Sequence, residues 1–188
     1  MTSVAIEHLD AASMRAIHDE ILALYQHVYA DRLNDPFSTP TRFWERLEAY
    51  ASRIGFNMVT GRMNGELVGF ALGYPLPSES QWWKHLRGPH QHDTDFLRED
   101  GRRTFAVNEL MVHPAWRGRS IGRTLHHELL AHRPEERATL LVRPGNEPAR
   151  SAYLRWGWEV IGTVQPFPDS PVFDSLIRRP ARVASVST

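Results

Sequence analysis

The 188-residue sequence contains no cysteine, which excludes disulfides, a thiol nucleophile and any cysteine-ligated metal site. No run approaches the roughly 18 apolar residues that a membrane span requires. The N-terminus offers no positively charged segment leading into an apolar one, so neither export nor membrane association is expected and a cytoplasmic location follows. Net charge is lacking as well. The 22 basic and 22 acidic residues cancel, leaving no global field that would favour nucleic acid or an anionic membrane. Any anion site must be local. There is no repeat, low-complexity block or linker, and 41% hydrophobic content suits a globular chain long enough to bury one core. One domain is therefore expected over residues 1–180, followed by a flexible tail, 181–188, which lacks bulky apolar anchors.

The familiar metal and nucleotide patterns are also missing. His126 and His127 are adjacent and face different directions on a helix, while His85, His90 and His92 have no partner cysteine and no His-Glu-x-x-His spacing. No metal is expected. Neither the Gly-x-x-x-x-Gly-Lys-Ser/Thr phosphate loop nor the Gly-x-Gly-x-x-Gly dinucleotide fingerprint occurs.

What is present is concentrated in residues 105–130, FAVNELMVHPAWRGRSIGRTLHHELL. An apolar strand stops near Val112, where His113-Pro114 ends regular pairing because proline lacks an N–H. The chain then crosses Arg117, Gly118, Arg119, Ser120, Ile121, Gly122 and Arg123 into an amphipathic helix. Small residues at a helix N-terminus leave backbone donors pointing outward, an arrangement suited to a diphosphate. Arg117-x-x-Ser120-x-Gly122 resembles the Arg/Gln-x-x-Gly-x-Gly/Ala pyrophosphate loop of the Gcn5-related N-acetyltransferase (GNAT) superfamily. Ser120 departs from that pattern by replacing its first glycine. A serine there is strained if positive φ is needed, although its hydroxyl could cap the helix or reach a phosphate oxygen. A second signature of the same family, Asn-x-x-Ala-x-x-x-Tyr-x-x-x-Gly-Phe, is matched by Asn146, Ala149, Tyr153, Gly157 and Trp158. Tryptophan for the final phenylalanine keeps the apolar bulk.

The resemblance implies an α/β fold of GNAT type. Its centre would be a mixed, mostly antiparallel sheet with a splayed parallel strand pair, flanked by helices on both faces. It also implies a function: transfer of an acetyl or other acyl group from acetyl-coenzyme A, as co-substrate, to a primary amine of a small molecule or peptide by direct attack in a ternary complex. In the family, backbone groups at Met111 and Val112 pair with the pantetheine arm, the loop 117–123 holds the diphosphate, and Asn146, Ala149 and Tyr153 contribute to the same cofactor. Tyr153 would give a proton to the leaving thiolate. A homodimer is an admissible assembly. The rival reading keeps the fold as an acyl-coenzyme A sensor or partner-binding module without turnover, and Ser120 is the departure that favours it.

The residues themselves single out Glu109. It interrupts an apolar strand, with Val107 and Met111 as same-face neighbours, and is the candidate base, acting directly or through water, or else a carboxylate that only holds the substrate ammonium. Elsewhere the patterning predicts a strand at 4–9, a helix at 11–32 capped by Asp10, and a helix at 38–52. A hairpin over 56–63 and 66–74 turns at Asn64-Gly65, and strands follow at 104–112, 138–143, 158–165 and 172–178, with a helix at 147–156. The connection 75–103, with at most one short helix, is long enough to be a lid or binding loop. Phe37, Trp44, Trp82 and Trp83, with Glu109, are candidate acceptor contacts, since aromatic walls suit an amine and its charge.

Overall fold

The computed structural model describes residues 4–179, so the tail expected at 181–188 lies outside the described residues. In chain order the elements are β1 (Ala5–Leu9), α1 (Ala11–Ala16), α2 (His18–Val28), α3 (Pro40–Ala51), β2 (Asn57–Met63), β3 (Glu66–Pro75), α4 (Thr94–Leu97), β4 (Thr104–Val112), α5 (Ile121–Leu130), β5 (Arg137–Val142), α6 (Glu147–Arg155), β6 (Glu159–Val164) and β7 (Phe173–Arg178). The strands form a mixed sheet in the order β1-β2-β3-β4-β5-β7-β6. The described residues divide into two compact units, 4–75 with 106–133 and 76–105 with 134–179.

In the first unit, β1, β2 and β3 make an antiparallel meander, with Leu9 opposite Met58 and Asn57 opposite Gly73. Asn64 and Gly65 take φ of 51° and 86°, the double positive φ that a two-residue hairpin turn demands. Side chains alternate across the strands. Met58, Phe70, Leu72 and Met111 join Met14, Ile21, Leu24, Tyr25, Phe43 and Leu47 in one buried cluster, so α1, α2 and α3 cover that face. On the other face Leu125 of α5 lies so close over Gly61 and Gly69 that a Cβ would come within 3.4 and 3.0 Å of it. Helices thus cover both faces of this part of the sheet.

The helix expected over 11–32 is two helices. Asp10 does cap the first, accepting from the Ser13 N–H at 2.8 Å. Ile17 then leaves helical geometry at φ −109°, ψ 26°. Its N–H turns back to the Met14 carbonyl at 3.2 Å, while Ile17 itself packs against the core cluster. The second piece ends at Val28, before a run of turns through Asn34, Asp35 and Pro36 that cannot continue a helix. α3 starts later than expected because Thr39 accepts from the Arg42 N–H and Pro40 takes the first helical position.

In the second unit β7 pairs antiparallel with both β5 and β6. β5 enters beside the start of β4, where the Arg137 N–H donates to the Arg103 carbonyl at 3.2 Å. The same place holds a buried ion pair, with the side chains of Arg137 and Glu99 only 4% and 2% exposed and 3.0 Å apart. Glu99 Oε1 also accepts from Trp83 Nε1 and Thr104 Oγ1, each at 2.7 Å. Arg137 donates to Thr104 Oγ1 at 2.8 Å and to the Phe96 carbonyl at 2.6 Å. Its guanidinium lies 4.2 Å from the Phe96 ring centroid. The long connection 76–103 is therefore pinned to the strand ends and is not a free lid at this point.

Removing one partner of such a pair leaves an uncompensated buried charge, which costs about 3–5 kcal/mol. Arg137→Met is expected to lower the stability measured by urea denaturation by that order, and a loss below ~1 kcal/mol would show that the carboxylate finds water instead.

Candidate active site

The first unit holds both the loop and Glu109. At the end of β4 the His113 N–H pairs with the Val68 carbonyl at 2.8 Å. The chain then makes a single 3-10 turn, Pro114–Trp116, whose start is capped by His113 Nδ1 accepting from Ala115 at 3.2 Å. Arg117 Nε reaches back to the Val112 carbonyl at 3.4 Å. Gly118 has φ of 77° with nothing within 4 Å of where a Cβ would stand, so this backbone can be approached closely by a ligand. Ser120 has φ of 61° and makes no capping bond through its side chain. Of the roles open to that serine, helix capping is the one not taken, and its backbone adopts the left-handed form natural to glycine.

The first intrahelical bond of α5 is Thr124 N–H to the Ser120 carbonyl at 3.0 Å. The N–H groups of Ile121, Gly122 and Arg123 precede it and have no intrahelical acceptor, as at any helix start. Ile121 is buried and anchors the turn, whereas Arg117, Gly118, Arg119, Ser120 and Arg123 are exposed. Arg119 lies over the Trp116 ring at 4.7 Å. Exposed backbone donors, a helix N-terminus and three guanidinium groups form a set that fits a diphosphate. Met111 is buried in the core, and the side chain of Val112 packs toward Gly69 and Gly122. Their side chains serve packing, which leaves ligand contact to their backbone.

Glu109 lies on the same strand and keeps part of its surface accessible. So much protein surrounds its carboxyl that burial pushes its pKa up to about 7, against the opposing pull of Arg46. Burial also raises the pKa of the Tyr25, Tyr50 and Tyr74 phenols, and the Glu109 charge adds to the rise at Tyr25 and Tyr50. These phenols stay neutral near pH 7. Tyr25 donates to the Ser38 carbonyl at 2.8 Å and stacks on Phe43 at 3.8 Å. Asn108 Oδ1, next in sequence to Glu109, is buried with no partner among the described residues.

Of the expected acceptor contacts, Phe37 is half-buried beneath two guanidiniums, Arg42 and Arg46, each 4.9 Å from its ring centroid. Trp44 packs edge-on against His18 at 4.3 Å and borders the core. In the second unit Trp83 is spent on Glu99, as described above. Trp82 donates from Nε1 to Thr139 Oγ1 at 3.2 Å and remains half-buried. Both tryptophans thus have structural work in that unit. Also there, Tyr153 is 8% exposed between Trp156 and Trp158, at 5.7 and 6.0 Å. Asn146 is exposed at the start of α6 without capping it through its side chain, and Ala149 is half-buried one turn on. Arg46, Tyr50 and Tyr74 were not among the expected site residues. The available signal was Arg46 itself, an arginine set between Phe43 and Tyr50 on the apolar side of α3.

The acetyltransferase (GNAT) family model matches residues 16–158, well over half of the chain. This protein belongs to the GNAT acetyltransferase family. Its members are acyl-coenzyme A dependent acetyltransferases. Solved structures with the GNAT fold match nearly the whole chain. PH1933 from Pyrococcus horikoshii OT3 is 18% identical with a TM-score of 0.66, covering 95% of this chain and 99% of its own. The ribosomal-protein-alanine N-acetyltransferase from Brucella melitensis is 20% identical at 0.61, covering 94% and 99%. PaiA N-acetyltransferase from Thermoplasma acidophilum, in complex with coenzyme A, is 12% identical at 0.59, covering 95% and 99%. At these identities the likeness is one of fold. No curated protein sequence matches the chain.

Two outcomes follow from the GNAT loop and strand. Ser120→Gly relieves the left-handed strain at the cost of some chain entropy, for an expected net gain of about 1 kcal/mol in urea denaturation; a loss would mean that the serine side chain makes a stabilising contact. Glu109 has a folded pKa of about 7 against its ordinary 4.5. Its neutral form is favoured by folding, so the wild-type protein loses stability as pH rises from 4.5 to 7. Glu109→Gln removes that loss, and its stability advantage is expected to grow through this window and level off above it. An advantage independent of pH would contradict the shift.

Proposed function

We propose that this protein is an acetyl-coenzyme A dependent N-acetyltransferase. The acceptor would be a primary amine of a small molecule or peptide, and attack would occur directly within a ternary complex in the cytoplasm. The observation that carries the reading is the place of Glu109 on the strand that feeds the diphosphate loop, where burial pushes its carboxyl pKa up to about 7. A base titrating near the working pH is available in its ionised form and still holds a proton well once it has one. The family match runs through both units, which supports reading them as one catalytic domain.

In this reading the amides and guanidiniums of residues 117–123 hold the diphosphate of acetyl-coenzyme A. Backbone groups at Met111 and Val112 hold its pantetheine arm, with Asn146 and Ala149 assigned to the same ligand by motif position. Glu109 takes a proton from the acceptor ammonium, directly or through water, and the freed nitrogen lone pair attacks the thioester carbon. As the tetrahedral intermediate collapses, the C–S bond breaks with its electron pair leaving on sulfur, and the excess proton on the nitrogen passes through water to restore the phenol that protonates the thiolate. The Tyr153 phenol, whose ordinary pKa of about 10 exceeds the roughly 8.5 of a simple thiol, gives its proton as charge develops on the sulfur. Ser120 does not favour the sensor alternative, because its backbone takes the conformation a glycine would take.

The test is thiol release from acetyl-coenzyme A over a panel of amines. Wild-type kcat/KM is expected to rise with pH through a limb near 7. Glu109→Gln should abolish that limb, and Glu109→Gln and Tyr153→Phe should each lower kcat about 100-fold or more, within the range of single acid or base contributions. An unchanged pH profile in Glu109→Gln would remove Glu109 from the chemistry, and full turnover in Tyr153→Phe would remove the phenol.

A further inference from the structure

Arg46 is unexplained by proton transfer. It projects from α3 in the first unit, half-buried, and donates from Nη1 to the Phe37 carbonyl at 3.1 Å. Its guanidinium carbon lies 4.9 Å from the Phe37 ring centroid and 5.7 Å from that of Phe43. These contacts hold the group in place and shield it from water. Among the described residues it forms no ion pair, whereas Arg15, Arg62, Arg103, Arg137 and Arg150 all do. The Arg46 side chain also hydrogen-bonds with the Tyr25 and Tyr50 phenols, which leaves the remainder of a five-donor guanidinium open in a group that is always charged.

Its charge is felt by Glu109 and by the phenols of Tyr25 and Tyr50. The cluster therefore presents a fixed cation near a carboxyl, flanked by neutral phenols from α2 and α3. A polyamine or aminoglycoside would bring further ammonium groups against that cation, and like charges at close range in a half-buried setting are costly. An acceptor with its own anionic group meets the opposite situation. Carboxylate is the natural partner of a planar guanidinium with donors to spare.

We infer that Arg46 selects the acceptor: the amine acetylated by this protein carries a carboxylate a few bonds from its nitrogen, and Arg46 seats that carboxylate while Glu109 faces the nitrogen. Amino acids and short peptides are the substrate class. The assignment rests on the acyl-transfer reading of Glu109 and narrows it.

The experiment compares thiol release with an amino acid and a dipeptide, each as free carboxylate and as C-terminal amide, alongside spermidine and kanamycin. The carboxylates are expected to exceed their amides in kcat/KM by about ten-fold or more, the worth of a hydrogen bond to a charged group, chiefly through KM. Arg46→Gln is expected to bring that ratio near one, and Arg46→Lys to recover part of it. Should Arg46→Gln fail to fold, the wild-type ratio decides alone. Amides, spermidine or kanamycin matching the carboxylates, or a ratio that survives Arg46→Gln, would overturn the inference and leave acyl transfer standing. Thiol release from none of these amines, with acetyl-coenzyme A bound, would count against both.

Discussion

A carboxyl group on an otherwise apolar strand is costly to ionise, and much of the first unit can be understood from where that cost falls. Glu109 sits two residues from Met111, whose side chain is 3% exposed in the core under α2 and α3. Charging it without a partner would oppose folding. The surroundings leave its pKa near neutrality, held there by burial on one side and by Arg46 on the other. A fully paired carboxylate would be inert as a base, and one with no cation nearby would remain protonated. The balance between these is what the proposed role of Glu109 as proton acceptor draws on.

The loop depends on a different constraint, the supply of unpaired backbone N–H groups. His113-Pro114 ends the strand, a 3-10 turn consumes the first donors, and α5 begins only after Ser120. Between them the backbone takes positive φ at Gly118 and Ser120. Glycine does this freely and serine does it under strain, so the shape of the loop overrides the local preference of residue 120. Strain held in a loop and compensated by the surrounding fold is a recurrent arrangement.

Most of the architecture was legible beforehand because it rests on short-range signals. Asn64-Gly65 specified the hairpin, and β4 begins and ends at its expected residues. The break at Ile17 was not legible, since no glycine or proline stands there. Nor was the clamp of Glu99, Arg137, Trp83 and Thr104, which joins residues up to 54 positions apart and can be seen only once the strands are laid down. For the same reason the bond from the Trp83 indole N–H to Glu99 could not be anticipated. The loop and Glu109 could be found from spacing and from a charge out of place in an apolar run. The tyrosines and Arg46 around Glu109 come from three separate elements, and nothing local in the sequence ties them together.

The most direct measurement is the ionisation of the Glu109 carboxyl in the intact protein, followed by carbon-13 NMR of the labelled side chain with Glu109→Gln for assignment. This account expects a midpoint near 7. A midpoint near the ordinary 4.5 of a glutamate would contradict it, because the group would then be a plain surface carboxylate with no special claim to the chemistry.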